Sequence, residues 1–207
     1  MKYEAEIRER LISNAIHLIA EGGFEMATTK ALAHYSGNLD DFKMNDAYVY
    51  RIFGSKENLY EAVFLRLDME LYNVFIEGLE AVRDHERSPK ERMYEFFLLA
   101  WRFVLGNEER CRCYLRYYYS IYFKGHSLAE HRRLFRGIVK ELEPLFKDEA
   151  DVDAIMHSVF TALFDFAIRV FNGDLENSDI NKPHIFNVLY CMVMTYFKQP
   201  VGGCQKN

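Results

Sequence analysis

The sequence has few of the residues that interrupt helices. Its 207 residues include 4 Pro and 11 Gly against 17 Phe and 14 Tyr, and half of all residues are hydrophobic. This composition excludes a disordered or collagen-like chain and predicts a globular protein with long helices. The length allows either one domain or a small domain joined to a larger one.

Cysteine is scarce, and the spacings typical of metal sites are missing. Cys111 and Cys113 are separated by one residue, while Cys191 and Cys204 lie far along the chain. This arrangement fits neither a disulfide framework nor a zinc site. We therefore expect reduced thiols, no metal and no cofactor. A redox sensor at Cys111 and Cys113 is the alternative.

Long apolar runs are missing as well. The most apolar stretch, residues 159–171, contains Asp165 and Arg169, so it is too short and too charged to span a bilayer. The first ten residues, MKYEAEIRER, carry acids where a signal peptide would have a basic and then an apolar segment. We expect a cytoplasmic protein without a membrane partner.

The sequence has fewer basic than acidic residues, with 26 Lys and Arg against 31 Asp and Glu. The formal net charge is −5, and within residues 1–60 the acids outnumber Lys and Arg. Phosphate binding usually gives a basic balance, so charge alone does not predict nucleic-acid binding. Glycine-rich phosphate loops and nucleophile elbows are also missing, and we do not expect an enzyme.

Helical periodicity is what the sequence does contain. Apolar residues recur every three to four positions over residues 3–21, and Gly22 and Gly23 follow, which predicts a first helix that ends in glycine. Thr28 and Thr29 precede a short second helix, predicted at residues 30–35. A helix start of this kind presents free backbone N–H groups, which suit a phosphate.

A third helix is predicted from Ala47 to Phe53. Asn45 or Asp46 can cap its start, and Gly54 and Ser55 can end it and begin the next helix. The periodicity turns part of this helix toward the core. The side chains left facing outward are Ala47, Tyr48, Tyr50 and Arg51.

The order of these features resembles one protein family. The stretches IRERLISNAIHLIAEGGFEMATTKALAHYSG and AYVYRIFGSKENLYEAVF resemble the N-terminal DNA-binding domain of TetR-type transcriptional repressors. The shared features are the glycine-aromatic turn, the threonine pair, the small-residue helix, Tyr-x-x-Phe, and the Ser-Lys-Glu-x-Leu-Tyr start of the fourth helix. The resemblance covers residues 5–65, and the later chain has no motif of comparable strength.

The resemblance implies a helix-turn-helix that binds DNA. It implies that Thr28, Tyr50 and Lys56 bind phosphates and that Ala47 and Tyr48 face base edges. The predicted DNA-binding residues are Thr28, Thr29, Lys30, Asn45, Ala47, Tyr48, Tyr50, Arg51 and Lys56.

The segment before the third helix departs from the family. Between Gly37 and Tyr50 the chain is about six residues longer than is usual there, and the extra residues 38–46, NLDDFKMND, are acidic on balance, with three Asp against one Lys. The insertion could extend the second helix, form a loop that leaves the third helix free to enter a groove, or repel phosphates. A tolerated loop is favoured, because lengthening a loop costs little free energy.

The helices after residue 55, two of which are predicted at residues 89–105 and 108–124, carry many aromatic side chains. A small-molecule pocket is typically apolar with a few polar groups, and tyrosine supplies both. Ordinary core packing is the alternative for each ring. The predicted effector pocket consists of Phe97, Trp101, Tyr114, Tyr118, Phe160 and Phe164.

Two C-terminal helices, predicted at residues 151–171 and 183–197, have more apolar surface than one core face requires. Such a surplus is explained by a partner, and two such helices from each of two chains would form a four-helix interface, as in TetR-like proteins. The alternative is that both helices are central in a single chain. The predicted interface residues are Ile155, Val159, Leu163, Phe166, Phe186, Leu189 and Val193.

A polar stripe of His157, Thr161, Asp165 and Arg169 recurs every four residues along the first of these helices. It could bind a polar group of an effector or form hydrogen bonds across the dimer. Alternatively, Asp165 and Arg169 form an ordinary i,i+4 ion pair on a solvated face.

Together these observations predict an all-α fold of about nine helices. Residues 1–54 would form a three-helix DNA-binding domain with a helix-turn-helix, residues 55–200 a larger helical domain for effector binding and dimerisation, and residues 201–207 a flexible tail. The expected function is a repressor that binds a near-palindromic DNA operator as a homodimer and is released by a small-molecule effector. The alternatives are a helical ligand-binding or interaction protein whose DNA binding is weak or lost because of the acidic insertion, and an all-helical enzyme that uses an aromatic cavity.

Overall fold

The computed structural model describes residues 2–35, 45–83 and 86–198. Within these residues the chain forms nine α-helices and two 3-10 turns, which confirms the predicted all-α fold. The helices are α1 Lys2–Gly22, α2 Thr29–His34, α3 Ala47–Phe53, α4 Lys56–Val82, α5 Pro89–Leu105, α6 Glu108–Tyr118, α7 Gly125–Leu142, α8 Val152–Phe171 and α9 Asn181–Val193.

Local sequence signals account for several helix boundaries. Gly23 follows α1 with φ of 82° and Gly54 follows α3 with φ of 78°, a conformation that glycine adopts without strain. The predicted bounds of α3 and α5 agree with the structure residue for residue. The predicted insertion at residues 38–46 lies largely outside the described residues, as does the tail at 201–207; only Asn45 and Asp46 of the insertion are described.

The predicted end of α6 was wrong. The apolar periodicity indicated a helix to residue 124, but α6 ends at Tyr118. The hydroxyl of Ser120 donates to the carbonyl of Tyr117 at 2.7 Å and accepts from the N–H of Tyr122 at 3.1 Å. These side-chain bonds replace helical ones and make a turn, which leaves Ile121 79% exposed.

The predicted end of α9 was also wrong. This helix ends at Val193, and a 3-10 turn, Met194–Tyr196, follows. The N–H of Lys147 donates to the carbonyl of Tyr196 at 2.8 Å, and the N–H of Lys198 donates to the carbonyl of Leu145 at 2.9 Å. These two bonds pair the chain after α9 with the chain after α7, and the helix cannot continue through them.

The chain divides into two compact units. Unit 1 consists of Met1–Asn73 and Gly106–Arg133, and unit 2 consists of Val74–Leu105 and Leu134–Asn207. In unit 1, α1, α2 and α3 pack on one another and α1 packs on α6; in unit 2, α5, α8 and α9 pack together. The predicted functional boundary at residues 54 and 55 stays a prediction.

Candidate nucleic-acid interface

The start of α2 is capped by a threonine, as predicted. The hydroxyl of Thr28 accepts a hydrogen bond from the N–H of Ala31 at 3.1 Å, which satisfies one of the free donors of the first turn. Thr28 and Lys30 are exposed and Thr29 is half-buried. Two of these three predicted DNA-binding residues therefore face solvent.

The start of α3 is capped by Asn45. Its side-chain oxygen accepts from the N–H of Ala47 at 2.9 Å, whereas the side chain of Asp46 makes no capping bond. Of the two caps proposed from the sequence, the structure contains the first. The Asn45 side chain is thus occupied in starting α3.

The two faces of α3 differ in burial. Val49 is completely buried and attaches the helix to the core, whereas Ala47 and Arg51 are exposed and Tyr50 is 55% exposed. The guanidinium of Arg8 in α1 lies over the Phe53 ring at 5.4 Å, which adds a cation–π contact at the end of the helix. A short helix is therefore held from one side and presents the other.

Tyr48 has partners in its own unit. It is half-buried, and the guanidinium of Arg51 lies 5.6 Å from the centre of its ring. A hydrogen bond to Tyr48 raises the pKa of the Tyr3 phenol. The predicted contact of Tyr48 with base edges stays a prediction. For that contact to form, the interactions with Arg51 and Tyr3 must either break or orient the Tyr48 ring toward the DNA.

The start of α4 follows α3 directly. The hydroxyl of Ser55 accepts from the N–H of Asn58 at 3.1 Å, and the Asn58 amide donates to the carbonyl of Phe53 at 2.7 Å. These bonds join the two helices across Gly54 and fix Lys56, which is half-buried, in the first turn of α4. A cation there is unfavourable beside the helix dipole unless an anion is near.

The residues of the predicted effector pocket lie in separate aromatic groups. Tyr114 and Tyr118 belong to unit 1, where Tyr114 stacks on Phe64 at 5.1 Å. The other four belong to unit 2. There the Phe97 ring is 5.7 Å from Trp101, and the Phe160 ring is 4.5 Å from Phe164. A pocket lined by all six residues stays a prediction.

The predicted dimer residues divide by burial. Leu163, Phe186, Leu189 and Val193 are at most 7% exposed within a single chain, so they can contribute little area to an interface. The remaining three, Ile155, Val159 and Phe166, are half-buried. The side chains of α9 that are available to a partner are different ones, led by Val188, which is 51% exposed.

The polar stripe on α8 faces solvent. All four of its members are exposed. The ion pair of Arg169 is formed with Asp174, at 2.7 Å between Nε and Oδ2, so the predicted i,i+4 pair with Asp165 named the wrong partner. The chain turns after α8, and Asp174 comes closer to the guanidinium than the residue one helical turn earlier.

The paired cysteines of α6 are unreactive thiols. Cys111 and Cys113 are buried, and burial raises the pKa of each thiol to about 12. Both are therefore protonated at neutral pH, which argues against a thiolate redox sensor.

The sequence interpretation missed a buried polar group. Asp68 in α4 is completely buried; its Oδ1 accepts from the Tyr114 hydroxyl at 3.0 Å and lies 2.9 Å from Nδ1 of His131. The available signal was position, because residues 64, 67, 68, 71 and 75 share one helical face and only residue 68 is charged.

Comparison with known proteins identifies the architecture. No protein-family model and no curated protein matches the sequence. Among solved structures, a TetR family transcription regulator from Marinobacter aquaeolei VT8 has a TM-score of 0.75 at 16% identity, over 93% of this chain and 98% of that chain. The chain has the TetR-type fold.

Two further structures with this TetR-type fold extend the comparison. A putative TetR family transcription regulator from Shewanella sp. PV-4 has a TM-score of 0.72 at 12% identity, over 93% of this chain and 99% of that chain. The multidrug binding protein EbrR complexed with imidazole has a TM-score of 0.61 at 14% identity, over 94% and 96%. These structures match 93 to 94% of the chain, and the likeness confirms the architecture that the N-terminal motif predicted.

One helix of this TetR-type fold, α8, is long and apolar. By length and composition alone α8 could cross a membrane, yet this is weak evidence, since core and interface helices of soluble proteins pass the same test. Only 17% of its most apolar 18-residue window is buried. The exposed residues of α8 are nearly all polar, however, and its large apolar side chains are buried or half-buried.

Proposed function

We propose that this protein is a cytoplasmic, ligand-responsive transcriptional regulator that binds a near-palindromic DNA operator as a homodimer. Each protomer would insert α3 into a major groove, with the two copies about one turn of DNA apart. The observation that carries the proposal is α3 itself. It is attached through buried Val49 and presents Ala47, Tyr50 and Arg51 to solvent.

The contacts would fall into two classes. Thr28, Lys30, Tyr50 and Lys56 would bind phosphates and fix the register of the protein on DNA, whereas Ala47 and Tyr48 would face base edges. The caps at Thr28 and Asn45 support this assignment, because they form the two helix starts of the motif. Arg51 would contribute charge at the same surface.

The homodimer would form through α8 and α9. Apolar side chains that a single chain covers only in part support this, namely the half-buried Ile155, Val159 and Phe166 on α8 and the exposed Val188 on α9. The four buried residues of the earlier prediction would support these helices from within. A two-fold interface of this kind would pair two α3 helices on one side of a duplex.

Repression and release would follow from two conformations. An effector that binds better to the conformation with the wrong α3 spacing would shift the equilibrium by that difference in affinity and release DNA. A relative with the same fold, EbrR, is a multidrug binding protein, which supports a small molecule as the effector. Helix α1 packs on α6, and His17 of α1 pairs with Glu109 of α6. This packing offers a contact between the proposed DNA-binding helices and α6.

Fluorescence anisotropy with duplex DNA from beside the protein's own gene tests the proposal. Tyr50→Phe combined with Lys56→Ala should weaken binding at least tenfold, because two phosphate contacts are lost. Arg133→Ala, which removes an exposed cation of α7 paired with Glu130, is the matched control and should leave affinity unchanged. Equal effects from both variants would contradict the assignment.

The second candidate is a helical ligand-binding or interaction protein whose DNA binding is weak or lost. The acids Asp46 and Glu57, both exposed at the two ends of α3, favour it, because they would repel phosphates. Absence of any DNA retardation at low salt would select this candidate over the regulator.

A further inference from the structure

The buried carboxylate of Asp68 uses only one of its two oxygens. Oδ1 receives the Tyr114 hydroxyl and the Nδ1 atom of His131, at 3.0 and 2.9 Å. Oδ2 is buried and has no hydrogen-bond partner among the described residues. Buried carboxylate oxygens are normally paired, so one strong acceptor of this group is left for a donor from outside the chain.

The two donors on Oδ1 define the state of the cluster. Nδ1 of His131 faces an acceptor and therefore carries a proton. Burial, reinforced by the negative Asp68, holds the pKa of Tyr114 well above its usual value, so the phenol keeps its proton and donates. Both neighbours thus bond to Oδ1, and neither supplies a donor to Oδ2.

Aromatic rings surround the His131 side of this carboxylate. The rings of Tyr118, Phe123 and Phe64 lie 5.6, 5.5 and 6.3 Å from the His131 ring. Tyr118 and Phe123 are half-buried, and the His131 side chain is 16% exposed. Phe64 is completely buried, whereas Tyr118, Phe123 and His131 are partly exposed, and all four residues belong to unit 1.

The chemistry of this cluster selects one class of ligand. A positive charge is attracted both by a carboxylate and by the faces of aromatic rings. Oδ2 requires a hydrogen-bond donor, and a charged N–H is a strong one, while an apolar body suits the surrounding rings. A metal is a poorer fit, because among the described residues no group of three or more His, Cys, Asp or Glu side chains could hold one.

We propose that Asp68, with Tyr118, Phe123 and His131, forms a binding site for a small organic ammonium ion that carries an N–H and an apolar or aromatic body. The ammonium donates to Oδ2 of Asp68 while its body lies against the rings. Entry requires side chains around Asp68 to move, because Oδ2 is buried. Binding at this site does not depend on the proposed function. Only the further role of the ammonium compound as the effector rests on it.

Isothermal titration calorimetry of the full-length protein with 2-phenylethylamine tests the site. The amine should bind at least tenfold more tightly than 2-phenylethanol, which lacks the charge, and than phenylethyl-trimethylammonium, which lacks the N–H. 3-Phenylpropionate, an anion, should not bind detectably. Equal affinity for the amine and the alcohol, or no amine binding at millimolar concentration, would overturn the proposal.

Variants locate the binding to Asp68. Asp68→Asn keeps an acceptor for Tyr114 and His131 but converts Oδ2 into a donor, so amine affinity should fall at least tenfold. Asp165→Asn removes an exposed carboxylate of α8 and should change nothing. If Asp68→Asn fails to fold, the selectivity series on the wild-type protein decides the proposal, and Tyr114→Phe, which leaves Oδ2 intact, should retain that selectivity.

The DNA experiment is separate from this one. Amine binding that depends on Asp68 supports the site whether or not the protein binds DNA. If DNA binds and the amine does not weaken its binding, the effector role fails and the site stands. If amine binding does not depend on Asp68, the site fails and the proposed regulator is unaffected.

Discussion

At the scale of single residues, Tyr60 joins the chain before α2 to α4. It is 1% exposed, and its hydroxyl donates to the carbonyl of Ala27 at 2.9 Å. Tyr60→Phe leaves that buried carbonyl without its donor and should lower the free energy of unfolding by about 1 kcal/mol at pH 8. Urea unfolding measures it, with Tyr50→Phe, at an exposed position, as a control that should cost nothing.

The same tyrosine predicts a dependence on pH. Burial raises the pKa of Tyr60 to about 12, above the value of about 10 in an unfolded chain. The native state therefore holds this proton more tightly, and its stabilisation is complete below pH 10 and is lost as the pH rises toward 12. The advantage of the wild type over Tyr60→Phe should shrink across that window. A difference that is constant from pH 8 to 11.5 would contradict it.

Residue-scale features were predictable where they are local. The caps at Thr28, Asn45 and Ser55 and the turn at Gly54 depend on a few neighbouring residues, so their chemistry is visible in the sequence. The Asp68 cluster joins side chains 46 and 63 residues apart. No local pattern brings such residues together, although the position of an acid on an apolar helical face pointed to Asp68.

At the scale of helices, two glycines make a matched pair. Gly78 in α4 is buried, and a Cβ there would lie 2.0 Å from the Phe96 ring; Gly137 in α7 has open space around it. Gly137→Ala should raise the free energy of unfolding by about 1 kcal/mol, because alanine favours the helix. Gly78→Ala should lower it, because overpacking outweighs that gain. Thermal unfolding of both variants checks the opposite signs.

Helix boundaries were predictable to different degrees. Pro89 and Gly106 enclose α5, and Gly54 ends α3, so both helices were predicted residue for residue. The end of α6 was not, because tyrosine and phenylalanine continue the apolar period beyond Tyr118. The helix ends there because the Ser120 side chain bonds to the backbone. The sequence alone does not show that geometry.

At the scale of the whole molecule, the proposed homodimer interface includes the exposed Val188 of α9. Val188→Asp places a charge on the exposed apolar surface of α9 and should convert a dimer into a monomer, because an unpaired charge in an interface is costly. Ile121→Asp, at a more exposed apolar position between α6 and α7, is the control. Sedimentation equilibrium that gives the same mass for both variants would exclude α8 and α9 as the interface.

The N-terminal motif predicted the architecture of the whole chain, since its features occur in one order in one family. The exposure of the apolar side chains of α8 and α9 was predicted less well. Apolar periodicity marks a helix as having apolar surface, but it does not say whether that surface is covered by the same chain, as for Leu163 and Phe186, or left open, as for Val188.

The most direct test of the central claim is a DNase I footprint on the DNA beside the protein's own gene. Two α3 helices that read one side of a duplex should protect two half-sites whose centres lie about 10 base pairs, or a whole number of turns, apart. Protection should disappear with Tyr50→Phe plus Lys56→Ala. A single protected site, or no protection even at low salt, would contradict the proposed regulator.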